Sequence, residues 1–500
     1  WSDLTASRYT ASSTLQRMEL LKTGYMGTLS LGWDNYLFLE LTGRQERSST
    51  LKDQSFFYPS ANLSFLFSNA FRMPAWWNHG KLRLSYGVVG NAPETYAANI
   101  IYEQGSDNGF TWNYVPSSWG NANIRPEKKY EYEIGFESKF LNNRLGFDVS
   151  YYNNRVKDQI LSTPQPSTSG VKYVLMNVGE VANEGWDISV SATPVLTKNF
   201  RWDLTANYGI YRNKVVKLAD GVPYLEISNI GGGGAKIQAV EGRPMGDIYV
   251  QVPQMNENGE YLVSDKGLYM NQTELQKVGN INPDGVGGLF SSFSYKNIFL
   301  DFSIDFRIGG DVINEMYQYS TASGLTPESL QFRDTEHGGL SYYYPGNNNA
   351  SGVPVQVDPS LGAGPNGETV YHDGVILPGV VASTGEKNTR IIPAGYYYNQ
   401  TYNWGTQPEQ LTYRHSVFDN SYVKLRELTI VYQFPEKLIS KLGMTRLSVS
   451  VFGRNLFYFY KALKNYDAES SVGTSWASQA VVGGSTTATR NFGVSLRASF

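Results

Sequence analysis

The sequence predicts an all-β chain, a transmembrane antiparallel β-barrel whose strands carry one apolar and one polar face. Three observations predict it. Thirteen runs along the 500-residue chain alternate apolar and polar residues. The connections between those runs alternate short and long. Aromatic residues make up 14% of the chain and charged residues only 17%, below the ~25% typical of soluble domains.

Taken in order, the first two runs are 24–32 and 36–46, joined by Trp33–Asn35. The third, 56–68, leads through Asn69–Asn78 into the fourth, 79–90. The fifth and sixth, 130–140 and 144–156, are joined by Leu141–Asn143. The seventh and eighth, 183–193 and 200–216, flank Pro194–Asn199, and the ninth and tenth, 287–295 and 298–309, flank Lys296–Asn297. The eleventh and twelfth, 421–433 and 445–459, flank Phe434–Met444, and 489–500 is the thirteenth. In the eighth run Phe200, Trp202, Leu204, Ala206, Tyr208 and Ile210 oppose Arg201, Asp203, Thr205, Asn207 and Gly209. In the tenth, Ile298, Leu300, Phe302, Ile304, Phe306 and Ile308 oppose Asp301, Ser303, Asp305 and Arg307. A one-residue slip would turn Arg and Asp toward lipid, at about 2–4 kcal/mol for Arg at mid-depth. The eleventh run is mixed, with Lys424, Arg426 and Glu427 near its start.

The other connections, 47–55, 91–129, 157–182, 217–286, 310–420 and 460–488, are long in all but the first case. A bacterial barrel has tight periplasmic turns and large outer loops, so 217–286 and 310–420 are expected to be large extracellular loops. A soluble domain has no reason to keep that parity, and a connection as long as 310–420 would be suspect in one. Single-chain bacterial barrels have even strand counts, and an open edge in lipid would leave backbone groups unpaired. An odd count therefore predicts that residues 1–500 are the carboxy-terminal part of a larger barrel, with its first strands upstream. Trp1-Ser2-Asp3-Leu4 does not read as a signal peptide. Trp76 and Trp77, and Trp33 less firmly, read as interfacial girdle residues.

The absence of cysteine removes disulfides, thiolate catalysis and Cys-ligated metals. Net charge of -3 with interspersed signs predicts no nucleic-acid partner. The mean hydropathy of -0.35 and the lack of any run of 18 apolar residues argue against a helical membrane protein. His79, His337, His372 and His415 lie far apart without paired-ligand spacing, so no metal and no cofactor is expected. No G-x-S-x-G elbow is present, and Gly231-Gly232-Gly233-Gly234 lacks the Lys-Ser/Thr of a phosphate loop. The chain is read as not an enzyme.

Eight blocks, in order and closing on Phe500, carry a resemblance. They are FFYPSANLSFLFSNAF (56–71), KLRLSYGVVGNAP (81–93), NIRPEKKYEYEIGFESKFLNNRLGFDVSYYNNRVKDQI (123–160), NVGEVANEGWDISVSA (177–192), VEGRPMGDIY (240–249), VGNINPDGVGGLFSSFSYKNIFLDFSIDF (278–306), DNSYVKLRELTIVYQFP (419–435) and VSVFGRNLF (449–457). From Tyr36 to Phe500 the chain resembles the SusC/RagA-like TonB-dependent transporters of the outer membrane of Gram-negative bacteria. The resemblance implies a plugged barrel of about 22 strands, with plug and energy-coupling segment upstream of Trp1. It implies a SusD-like surface lipoprotein as lid, TonB–ExbB–ExbD as energy source, and room for a dimer of transporter–lipoprotein pairs. It also implies import of oligosaccharides or oligopeptides. A passive or adhesive barrel without energy coupling is the alternative. The stretch 252–272 departs from the family by lacking the D-x-[DN]-x-[DN]-G spacing, so calcium is not expected there.

Aromatic clusters are the candidate ligand contacts: Tyr342, Tyr343, Tyr344, Tyr396, Tyr397, Tyr398 and Trp404 in 310–420, and Trp112 and Trp119 in 91–129. Sugar C–H faces and extended peptides both pack on such rings. Loop-on-loop packing or contact with a lid protein is the competing role.

Overall fold

The computed structural model describes residues 17–52, 55–99, 101–107, 110–403, 412–484 and 487–500. Thirteen strands form one antiparallel sheet in chain order. They are β1 (Lys22–Trp33), β2 (Leu37–Ser48), β3 (Ser55–Phe65), β4 (Trp77–Asn91), β5 (Glu127–Phe140), β6 (Leu145–Lys157), β7 (Glu180–Leu196), β8 (Phe200–Lys217), β9 (Gly285–Tyr295), β10 (Ile298–Ile308), β11 (Tyr422–Gln433), β12 (Arg446–Lys461) and β13 (Asn491–Ser499). Each falls on one of the runs read from the sequence. Among the described residues β1 and β13 each have a single neighbour in the sheet.

Cross-strand register fixes the faces. Trp202 pairs with Phe293, Phe293 with Leu300, Leu300 with Ile430, Ile430 with Val451 and Val451 with Val494. The next row runs Asp203, Ser292, Asp301, Thr429, Phe452 and Gly493. One row is wholly apolar and the adjacent row mostly polar, because successive residues of a strand point to opposite faces. Rings reinforce the apolar face: Trp202 stacks on Phe293 at 5.4 Å, and Phe293 on Phe302 at 6.2 Å. Such pairs add about 0.5–1.5 kcal/mol each beyond the area they cover.

The turns explain the asparagines. Asp34 and Asn35 have φ of 45° and 56°, and Leu141, Asn142 and Asn143 have φ of 56°, 60° and 62°. Left-handed backbone suits the twist of a tight hairpin, and Asn and Asp tolerate it better than most residues.

The third run ends earlier than its apolar pattern suggests. β3 stops at Phe65 and the chain turns through a short helix, Phe67–Ala70. Phe67 leaves the strand so that its ring covers Gly80, edge-on to Trp77 at 5.5 Å and stacked with Phe136 at 6.1 Å. A Cβ on Gly80 would lie 2.1 Å from that ring. Gly80→Val is expected to lower stability by about 1–3 kcal/mol through this overpacking. Thermal unfolding in detergent checks it, and an unchanged midpoint would show that the ring simply moves aside.

The long connections, expected as large loops, carry regular structure of their own. Residues 224–280 contribute a four-stranded sheet, and 340–393 another. Helices Glu315–Ala322 and Ala394–Tyr402 lie in the same long connection. One apolar core ties three connections together. Ile237, Ile248 and Val250 of the first pack with Ile313, Tyr413 and Val417 of the second and Ala477, Ala480 and Val481 of the third. No helix among the described residues is long and apolar enough to cross a membrane, which says nothing of strands.

Candidate functional site

The polar face of the sheet borders a cavity of 740 Å³ lined by Asp148, Asp187, Asn207, Asp305, Arg307 and Tyr422, among others. Register brings these residues of distant segments together. Arg83 pairs with Gly135, Gly135 with Ser150, Ser150 with Asp187 and Asp187 with Gly209, and the row continues through Val286 to Arg307 and Tyr422.

Most charge on this face is paired within the wall. Arg83 reaches across β5, where Gly135 leaves room, and donates from Nη2 to Asp148 Oδ1 at 2.6 Å and to Ser150 Oγ at 3.1 Å. A Cβ on Gly135 would lie 2.7 Å from Arg83 Nε. Arg307 donates to the carbonyls of Gly309 at 3.2 Å and Ile281 at 3.0 Å. Arg454 donates to Glu427 Oε2 at 3.0 Å and lies over the Phe452 ring at 5.2 Å. Among the described residues Asp187 and Asp301 have no ion-pair partner within 4.0 Å. The face is thus polar, with much of its charge neutralised within the wall.

The mixed start of the eleventh run becomes the densest charged cluster. Register shifts between Val423 and Lys424 and between Leu425 and Glu427 mark bulges in β11, and a bulge re-aims side chains that strict alternation would send to the other face. Arg426 donates from Nε to Asp305 Oδ2 at 2.5 Å, from Nη1 to Asn455 Oδ1 at 2.8 Å and to Glu469 Oε2 at 2.9 Å. Lys424 also donates to Glu469 and lies over the Tyr458 ring at 4.8 Å. Glu469 belongs to the last connection, 462–490, so this network straps that connection to β11 and β10. Nothing local in the sequence pairs Arg426 with a carboxylate 43 positions away.

Burial pushes the Glu469 carboxyl up, but hydrogen bonds and charge from Arg426 and Lys424 outweigh it and hold the group down at about 2. Its folded value lies below the unfolded one, so the strap stabilises above pH ~4.3 and that contribution is lost as pH falls toward the folded value. Pepsin cleavage within 462–490 is therefore expected to rise steeply between about pH 4.5 and 2 and to be flat above that window. A profile without that rise would show that Glu469 does not hold the connection.

The tyrosine triplets lie inside the 309–421 connection. Tyr342 is buried, stacks on Tyr371 at 5.4 Å and donates its hydroxyl to Asp373 Oδ1 at 3.0 Å. Desolvation, with Asp373 beside it, pushes its hydroxyl well above the usual tyrosine value. Tyr344 is buried edge-on to Tyr342 at 5.6 Å. Tyr398 is buried against Tyr397 at 5.0 Å and Tyr402 at 6.0 Å, and donates to the Glu328 carbonyl at 2.8 Å. Burial pushes the Tyr398 hydroxyl up to about 12. Tyr342, Tyr344 and Tyr398 therefore hold the connection together, and their rings have little surface left to stack on a ligand. The sequence could not separate these two roles, because both demand the same residue type.

Tyr343, Tyr396 and Tyr397 remain partly accessible. Trp112 is 48% exposed on the hairpin Glu103–Asp107/Phe110–Tyr114, and Trp119 is half-buried, edge-on to Tyr102 at 6.0 Å. Neither tryptophan makes a ring contact with the tyrosine triplets among the described residues. Trp404 lies outside the described residues.

The histidines occupy separate places. His79 lies 3.6 Å from Glu137, His337 Nδ1 lies 2.7 Å from Asp334, His372 Nδ1 lies 2.9 Å from Ser341 Oγ, and His415 stacks on Tyr402 at 5.7 Å. No group of three potential metal ligands occurs among the described residues. Trp76, 53% exposed, stacks on Trp77 at 5.9 Å and on Phe140 at 5.9 Å, building a ring cluster at the short-turn end of the sheet.

Comparison with known proteins gives a consistent picture. Residues 4–247 match the family model described as TonB dependent receptor-like, beta-barrel. TonB-dependent receptor P3 of Formosa agariphila is 22% identical over 494 residues, covering 90% of this chain and 42% of the relative. TonB-dependent receptor SusC of Bacteroides thetaiotaomicron is 28% identical over 244 residues, 45% of this chain and 24% of SusC. The solved structure of the RagAB peptide transporter superposes with a TM-score of 0.70 at 18% identity, covering 98% of this chain and 49% of that one. The chain thus spans half or less of the length of the relatives it matches.

Proposed function

We propose that this chain is a TonB-dependent receptor β-barrel and forms wall, outer loops and lid-docking surface of an importer that moves oligomeric nutrients across the outer membrane of a Gram-negative bacterium. The observation that carries this reading is the two-faced sheet. A row such as Trp202, Phe293, Leu300, Ile430, Val451 and Val494 suits hydrocarbon, while the opposite face is mostly polar and borders the first cavity.

In this reading β1 and β13 meet further strands and a plug contributed by the rest of the protein. The exposed rings Trp33 and Trp76 lie at the periplasmic boundary of the membrane, and the long connections face the cell exterior. Outer loops and a SusD-like surface lipoprotein capture an oligosaccharide or oligopeptide. Force from TonB–ExbB–ExbD then displaces the plug, and the solute passes along the polar wall. The paired charges of that wall favour passage, since a bare row of one sign would retain charged oligomers. The chain supplies no bond chemistry here.

The test is uptake of a labelled oligomer by cells carrying the intact transporter, with and without a functional TonB. Energy-coupled import requires that uptake collapse to background without TonB. Uptake that persists at full rate would favour a passive barrel.

A further inference from the structure

A second cavity, of 460 Å³, lies between helix Glu315–Ala322, the turn Leu325–Glu328 and the segment Ala462–Tyr466. Its volume is within the roughly 300–1,000 Å³ of small-ligand pockets. Tyr317, Phe418 and Tyr466 line it with rings, Phe418 standing edge-on to Tyr317 at 5.0 Å. Leu325, also lining it, is 78% exposed, an apolar side chain held against unfilled space.

The cavity is held open by hydrogen bonds of its own frame. The hydroxyls of Thr321 and Thr326 lie 3.1 Å apart, Ser329 donates to the Thr326 carbonyl at 2.6 Å, and Tyr398 donates to the Glu328 carbonyl at 2.8 Å. A site pinned in this way loses little further entropy when a ligand enters. Glu328 and Lys464 both line the cavity and are exposed, and neither has an ion-pair partner within 4.0 Å among the described residues. An exposed carboxylate and an exposed ammonium, each without an ion-pair partner among the described residues, thus border a largely apolar pocket.

We propose that this cavity is a subsite for an oligopeptide, taking an apolar or aromatic side chain against Tyr317, Phe418 and Tyr466 while Glu328 and Lys464 pair with cationic and anionic groups of the same ligand. A neutral oligosaccharide could stack on the rings but would leave both rim charges without a counter-charge. The proposal rests on the importer reading and adds to it the substrate class.

The test titrates the full-length transporter in detergent with two probes of equal length, an unblocked Leu- and Phe-containing hexapeptide of zero net charge and neutral maltohexaose. The hexapeptide is expected to bind at least tenfold more tightly than maltohexaose. The double variant E328Q/K464Q is expected to weaken the peptide at least tenfold and leave the thermal midpoint unchanged, since both side chains are exposed. Leu325→Asp, equally exposed, is expected to weaken it as well. Tighter binding of maltohexaose, or unchanged peptide affinity in both variants, would overturn the subsite. Uptake in cells lacking TonB keeps the two readings apart: unaffected peptide binding with TonB-dependent uptake removes only the subsite, whereas TonB-independent uptake removes the importer and leaves the binding data standing.

Discussion

Phe302→Arg is expected to abolish assembly of the barrel in the outer membrane, while Ser303→Arg, one residue along the same strand, is expected to be tolerated. Phe302 lies on the apolar face of β10, where its ring stacks on Phe293. A guanidinium there costs about 2–4 kcal/mol at mid-depth, and the lost ring pair adds about 0.5–1.5 kcal/mol. Ser303 lies on the polar face between Asp301 and Asp305, where a cation is solvated and meets the Asp301 carboxylate, which has no ion-pair partner among the described residues. A strand cannot hide the change by slipping one residue, since that would send Asp301, Asp305 and Arg307 to the apolar face. Outer-membrane abundance and the heat-modifiable gel shift of the folded barrel measure both variants. Equal abundance of the two would mean that the faces are assigned wrongly.

The second large effect is expected at Arg426. Replacing it by Ala removes the donor that Asp305 and Glu469 share, leaving Glu469 to Lys424 alone and Asp305 without an ion-pair partner among the described residues. Charged hydrogen bonds are worth about 1.5–3 kcal/mol each, and stranding a buried carboxylate costs more than the bond itself. Solvent reaches part of this cluster, so about 2–3 kcal/mol is expected, concentrated in the 462–490 connection rather than spread over the sheet. Protease cleavage within that connection is expected to rise sharply while the thirteen-strand sheet keeps its far-ultraviolet signature. Arg426→Lys retains one charge but not the fork that reaches Asp305, Asn455 and Glu469 together, so it is expected to restore only part of the protection. If cleavage is unchanged in Arg426→Ala, the apolar core shared with the other connections holds 462–490 unaided.

The comparison of β10 with β11 shows what could be read from the sequence. β10 obeys strict alternation, and its facing followed from Ile298 to Ile308 alone. β11 carries bulges, so the same rule gave no clear face for Lys424, Arg426 and Glu427, whose place depends on β12 and on Glu469. The tyrosine triplets show the same divide at the candidate site. The sequence offered Tyr342, Tyr344 and Tyr398 either as ligand contacts or as loop-on-loop packing, and the folded connection buries all three. The second cavity left no trace in the sequence, because Tyr317, Phe418 and Tyr466 reach it from separate stretches of chain.

By itself the sequence determined the strands, the faces of those that alternate strictly and the parity of the connections, because a period-2 pattern and turn-forming asparagines are local and act before any long-range contact exists. The folded structure alone decided how 218–284, 309–421 and 462–490 interlock, which tyrosines lie inside, and which charges meet. Those outcomes depend on residues scores of positions apart, brought together by the register of a sheet whose width no short window of sequence contains.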